Sequence, residues 1–179
     1  MKQELESILS FGAQAVSGEK TIFDQAALRH LDRLMEGNNG YKTTPANPAV
    51  LSQELREGTA KNGQSPLAVI VCCSDSRVPP EHIFHAGIGE LFIIRNAGNL
   101  ISDFALGSVE YAVEHLETPL VVVMGHTGCG AVGTALTPAQ EKGGLAAILA
   151  EIRDAIAGES DPHQAVRKNT LHALATLGH

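Results

Sequence analysis

No apolar run in this sequence approaches the roughly 20 residues that a membrane-spanning helix needs. Runs such as Leu120 to Gly125 end far short of it, so no membrane span is expected. Basic residues are in deficit: 13 Lys and Arg stand against 20 Asp and Glu, a formal charge of -7. That leaves no electrostatic footprint for nucleic acid or an anionic membrane, and the expected partner is a small molecule or another protein. Cysteine is scarce, with only Cys72, Cys73 and Cys129, which cannot all pair. Clustered thiols in a reducing compartment are more often metal-binding or catalytic than bridged. Met1 to Ser7 lack a basic stretch followed by an apolar one, so a secretory signal is not expected and a cytoplasmic setting is favoured. What remains is ordinary for one folded domain: 179 residues, 44% hydrophobic and 18% charged, a composition that excludes disorder.

Phe23, Ala27, Leu28, Leu31, Leu34 and Met35 recur at helical spacing, with Thr21 and Asp24 as caps and Gly37 as a stop. A second helix is expected from Pro48 to about Arg56, capped by Asn47, with Asn38 to Ala46 as the intervening loop. With the first fifteen residues these form a helical arm over residues 1–60, ahead of a core over 61–179. There Ala68–Cys72, Leu91–Ile94 and Leu120–Met124 are continuous apolar runs of the kind buried on both faces of a parallel sheet. Helices are expected at Asp103–Leu116 after a Ser102 cap, Gly130–Leu136, Leu145–Ile156 and His163–Leu177. The fold class is α/β, a mostly parallel central sheet with flanking helices and an N-terminal helical arm.

The chemistry sits at the ends of the first and third strands. Cys73-Ser-Asp-Ser-Arg77 follows one and His126-Thr-Gly-Cys129 the other, so both leave from the carboxyl edge of a parallel sheet, where ligands gather. If those strands are neighbours, Cys73, His126 and Cys129 converge. Two thiolates and an imidazole are a recognised zinc set that leaves a fourth tetrahedral position open, as catalytic sites require. Cys72 points to the opposite face of its strand and reads as core, with a Cys72–Cys73 redox pair as the lesser alternative. Asp75 and Arg77 can pair if the loop folds back, either as a brace or as a fork that leaves one carboxylate oxygen free to orient a metal-bound water. A phosphatase loop is dismissed, because Cys72 and Cys73 leave only four and three residues before Arg77.

These segments resemble the beta class of carbonic anhydrases. The likeness runs through Leu34–Asn38 (LMEGN), Cys73–Val78 (CSDSRV), Arg95–Asn99 (RNAGN), Glu110–Val113 (EYAV) and Gly125–Gly130 (GHTGCG), in the family's order. It implies zinc on Cys73, His126 and Cys129, one ion per chain, with the Asp75–Arg77 dyad orienting the fourth ligand. Gln64, Phe92 and Tyr111 match the open-site, plant-like subtype, whereas the closing subtype has Trp where Ile70 stands. The resemblance implies that these three residues, with Gly128, border a substrate pocket at a dimer interface, with Gln64 donating to a substrate oxygen. The expected self-partner is thus a homodimer or tetramer.

The function implied is zinc-dependent interconversion of carbon dioxide and bicarbonate, tilted to higher pH than an all-imidazole site because two thiolates donate more negative charge. Hydrolysis of carbonyl sulfide or carbon disulfide, and a non-catalytic zinc-stabilised assembly module, are the alternatives. His82, His85 and His115 read as surface histidines, better taken as solvated bystanders than as proton shuttles. Family members usually continue past the helix ending near Leu177 with another core strand and a helix. This chain stops at His179, so an unpaired sheet edge is expected.

Overall fold

The computed structural model describes residues 25–44, 46–47 and 51–178. In chain order these form α1 (Gln25–Thr43), α2 (Gln53–Asn62), β1 (Ala68–Cys73), α3 (Pro80–Ile83), β2 (Leu91–Asn96), α4 (Asp103–His115), β3 (Val121–Met124), α5 (Gly130–Ala135), α6 (Gly144–Ala155) and α7 (Pro162–Thr176). The three strands make one parallel sheet in the order β2-β1-β3. This is the expected α/β architecture, and every residue of the central strand is buried.

The alternation of β1 explains that burial. Ala68, Ile70 and Cys72 face Leu34 of α1, together with Phe84, Ile93 and Val122. Val69 and Val71 face Val109 and Ala112 of α4, together with Phe92, Ile94 and Val123. A strand covered on both sides has no polar face, so its sequence shows no alternation. A third cluster gathers Val132, Ala135, Leu149, Ile152 and Ala165 from α5, α6 and α7, with Ile156 just past α6, around Cys73 and Cys129. The metal-ligand candidates therefore sit where the sheet edge meets the C-terminal helices.

Caps set several boundaries. Ser102 accepts the Ala105 N–H at the start of α4, and Asp161 accepts the Gln164 N–H at the start of α7, where Pro162 fills the first turn. At α2 the described helix has Ser52 as its cap. Ser52 accepts the Leu55 N–H, and the helix runs from Gln53 to Asn62. The Asn47 amide nitrogen donates to the Glu81 carbonyl at 3.1 Å. Pro48 to Val50, the expected cap residues Thr21 and Asp24, Phe23 and the first fifteen residues lie outside the described residues.

Gly37 does not stop α1, which continues to Thr43 and absorbs most of the expected Asn38–Ala46 loop. The glycine serves a close approach instead: a Cβ there would overlap the Phe84 carbonyl after α3. Around that contact Asn38 donates to the Ile83 carbonyl at 3.3 Å and Arg33 to the His85 carbonyl at 3.1 Å. His85 is consequently buried beneath Gly40 rather than on the surface, while His82 and His115 are exposed. Gly37→Ala sets a helix-propensity gain of about 1 kcal/mol against overpacking of about 1–3 kcal/mol. Because the clashing atom is backbone and cannot swing aside, net destabilisation is expected, read as a lower urea midpoint. An unchanged or higher midpoint would mean that α1 is not docked this way.

Candidate metal centre

Cys73 ends β1 and Cys129 precedes α5, with His126 in the loop that follows β3. Because β1 and β3 are paired neighbours, with Cys72 opposite Met124, the two loops meet at the carboxyl edge. Cys73 and Cys129 bring their sulfurs to 3.9 Å, and the ligand atoms of Cys73, His126 and Cys129 all lie within 4.8 Å of one another. A tetrahedral zinc with Zn–S bonds of about 2.3 Å would hold two sulfurs roughly 3.8 Å apart, so the donors fit the ion.

The imidazole is prepared for the same role. His126 Nδ1 lies 3.1 Å from the Thr127 carbonyl, a contact that requires N–H at that nitrogen. Nε2 then carries the lone pair, and it is buried with no hydrogen-bond partner. A buried nitrogen lone pair without a partner is costly unless something else engages it. Burial also pushes the Cys129 thiol up. Cys72 lies on the opposite face among Leu34, Ala68 and Ile70, where burial pushes its thiol to about 11.

Asp75 and Arg77 close into a bidentate pair. Arg77 Nε donates to Asp75 Oδ1 at 2.9 Å, a terminal guanidinium nitrogen donates to Oδ2 at 2.7 Å, and the Arg77 backbone N–H adds a third bond to Oδ1 at 2.9 Å. The expectation of one wholly free carboxylate oxygen is therefore corrected: both oxygens are engaged. With a single donor, Oδ2 retains one lone pair, and it lies 3.9 Å from His126 Nε2. The hydrogen bonds from Arg77 hold the Asp75 carboxyl well below the usual carboxylate range. Arg77 also donates to the Gly128 carbonyl at 2.9 Å, tying the β1 loop to the β3 loop.

Arg95 was assigned no role by sequence reasoning, yet it donates to the Cys73 carbonyl at 3.0 Å and the Asp75 carbonyl at 2.7 Å. Its place in the Arg95–Asn99 motif was the available signal. The remaining candidates do not converge within one chain. Phe92 and Tyr111 meet at a tilt of 42°, ring centroids 6.2 Å apart, on the α4 side of the sheet. Gln64 is exposed in a surface hollow with Arg56, Ile88 and Gly89, ahead of the amino ends of β1 and β2. At about 3.3 Å per residue, β1 alone puts roughly 16 Å between that hollow and Cys73. Gln64 cannot serve the Cys73 site of its own chain.

Residues 68–177 match the carbonic anhydrase family. The chain is 49% identical over 104 residues to "Carbonic anhydrase 2" of Mycobacterium tuberculosis, covering 58% of this chain and 49% of that protein. It spans about half the length of the curated relatives it matches. Among solved structures it is similar to the beta-carbonic anhydrase CcaA, with 31% identity and a TM-score of 0.59 over 83% of this chain and 74% of that one. It is also similar to a tetrameric beta-carbonic anhydrase from Sordaria macrospora, with 25% identity and a TM-score of 0.59 over 80% and 77% of the two chains.

Proposed function

The chain belongs to the beta class of carbonic anhydrases, and from that premise we propose that it catalyses the reversible hydration of carbon dioxide to bicarbonate and a proton at a zinc ion. The observation that carries this reading is the convergence of Cys73, His126 and Cys129 beside an ionised, tightly held Asp75. Bound zinc supplies a Lewis acid able to make water nucleophilic near neutral pH. The two thiolates and His126 Nε2 hold the ion, and the Thr127 carbonyl keeps the imidazole in the ligating tautomer.

Asp75 Oδ2 accepts a hydrogen from the attacking water through its remaining lone pair and so turns the oxygen toward the substrate carbon. Arg77 keeps that carboxylate charged and aimed, with Gly128 as its second anchor. Gln64 donates to a substrate oxygen from a second copy of the chain, which also brings Phe92 and Tyr111 to the rim of a shared pocket. An exposed apolar face on α4 supports this assembly: Phe104 is 90% exposed and Tyr111, two turns on, 50%. A homodimer, or a tetramer built from two of them, is the proposed state. The proposed setting is the cytoplasm, in keeping with three free thiols; no helix among the described residues is long and apolar enough to cross a membrane.

Zinc content measured together with stopped-flow carbon dioxide hydration tests the reaction. One zinc per chain with hydration above the buffer rate is expected, and metal without hydration would overturn it. Sedimentation at micromolar concentration tests the pocket. An even-numbered assembly is expected, and a clean monomer that hydrates carbon dioxide would remove Gln64 from the site.

A further inference from the structure

α7 packs against the metal cluster and also reaches it by one polar link through the Gly98 peptide. Asn169 is 1% exposed, on the helix face it shares with the buried Ala165 and Ala173. Its Nδ2 donates to the Gly98 carbonyl at 2.8 Å. The Gly98 N–H in turn donates to Cys73 Sγ at 3.5 Å. The loop between them is held in a conformation that side chains resist, with φ of +81° at Gly98 and +48° at Asn99. At Gly98 a Cβ would also come within 2.8 Å of Ile152 Cδ1. Asn96 closes the base of this loop by exchanging two hydrogen bonds of 2.7 Å with the Leu100 backbone. Asn169 anchors its tip.

An asparagine is a costly choice at this depth. Its Oδ1 is buried with no hydrogen-bond partner among the described residues, whereas a leucine of similar size would bury no polar atom. The one bond that the side chain does make goes to the peptide that touches a ligand sulfur. The same helix also reaches the other ligand loop: Thr170 and Val166 pack against Gly125, the residue before His126, where a Cβ would overlap the Thr170 hydroxyl.

We propose that Asn169 is a positioning residue of the metal site, holding the Gly98 peptide so that its N–H donates to the Cys73 thiolate and draws charge from it. The inference rests on the reading of Cys73 as a ligand. A donor aimed at a metal-bound sulfur fixes its direction and moderates the charge it gives to the ion, and such outer partners typically account for about 10–100-fold in metal affinity or activity. In Asn169→Leu the volume stays but the donor goes; in Asn169→Ala both go.

The test uses the full chain loaded with cobalt(II) in place of zinc. It reads the sulfur-to-cobalt charge-transfer absorption and the rate at which a chelator strips the metal. Both Asn169 variants are expected to shift the absorption and to release cobalt about 10–100-fold faster. Ala173→Gly, one turn along the same face, loosens the helix while leaving the Asn169 amide in place, and is expected to leave the absorption where it was. If wild-type protein takes up no metal, the ligand reading falls and this inference with it. If wild type loads but either folded Asn169 variant absorbs and releases cobalt like wild type, the inference alone is overturned.

Discussion

With Asp75 replaced by asparagine, zinc is expected to remain at one ion per chain while carbon dioxide hydration falls by about 10²-fold or more. A carboxylate is acceptor-only, and here Arg77 occupies both lone pairs of Oδ1 and one of Oδ2. An amide has one acceptor and one donor. Either flip sets its NH2 against an Arg77 donor, which would repel it, and with NH2 in the place of Oδ2 the attacking water also loses the acceptor that aims it. Arg77→Ala is expected to reach a similar loss by a different route, since Asp75 would be freed both from its fork and from the Gly128 tether. Metal analysis by mass spectrometry beside stopped-flow rates separates orientation from metal loss. Wild-type rates in both variants between pH 6 and 9 would reduce the dyad to a loop brace.

Cys73→Ser is expected to reduce zinc to a small fraction of one ion per chain and hydration to the buffer rate, whereas Cys72→Ser is expected to keep both. The two residues are adjacent, buried and chemically identical, so only geometry distinguishes them. Cys73 lies 3.9 Å from the Cys129 sulfur, while Cys72 packs against Leu34 and Ile70 on the opposite face. A serine hydroxyl replaces a soft anionic donor with a neutral one that stays protonated, and two donors hold zinc far less well than three. Cys72→Ser instead places a hydroxyl in an apolar pocket. It should lower stability by about 1–3 kcal/mol without touching the metal. Equal zinc in the two variants would remove Cys73 from the ligand set.

Much of the fold was legible because its elements are locally determined. The three apolar runs became β1, β2 and β3 within two residues of their expected ends, and Ser102 stands as the cap where it was expected. The failures share a cause. Gly37 looks like a stop when only the helix is considered, yet it is a contact with Phe84 from nearly fifty residues away. His85 carries no local mark of burial.

The candidate site divides in the same way. Residue type and spacing alone determined that two thiols, an imidazole and an Asp–Arg pair follow two buried strands, because parallel strands deliver their following loops to one edge whatever lies between them. The resemblance added the roles. Tertiary structure alone decided that the two sulfurs lie 3.9 Å apart, that Arg77 spans both loops, and that Gln64 lies at the far end of β1 from the cluster it was expected to serve. It also decided that Asn169 reaches Gly98 across 71 positions of sequence. A local pattern reports which face a side chain takes and which edge a loop leaves from, since both follow from backbone periodicity. Which distant carbonyl or sulfur the side chain then meets depends on how the helices pack over that edge, and no short stretch of chain carries that information.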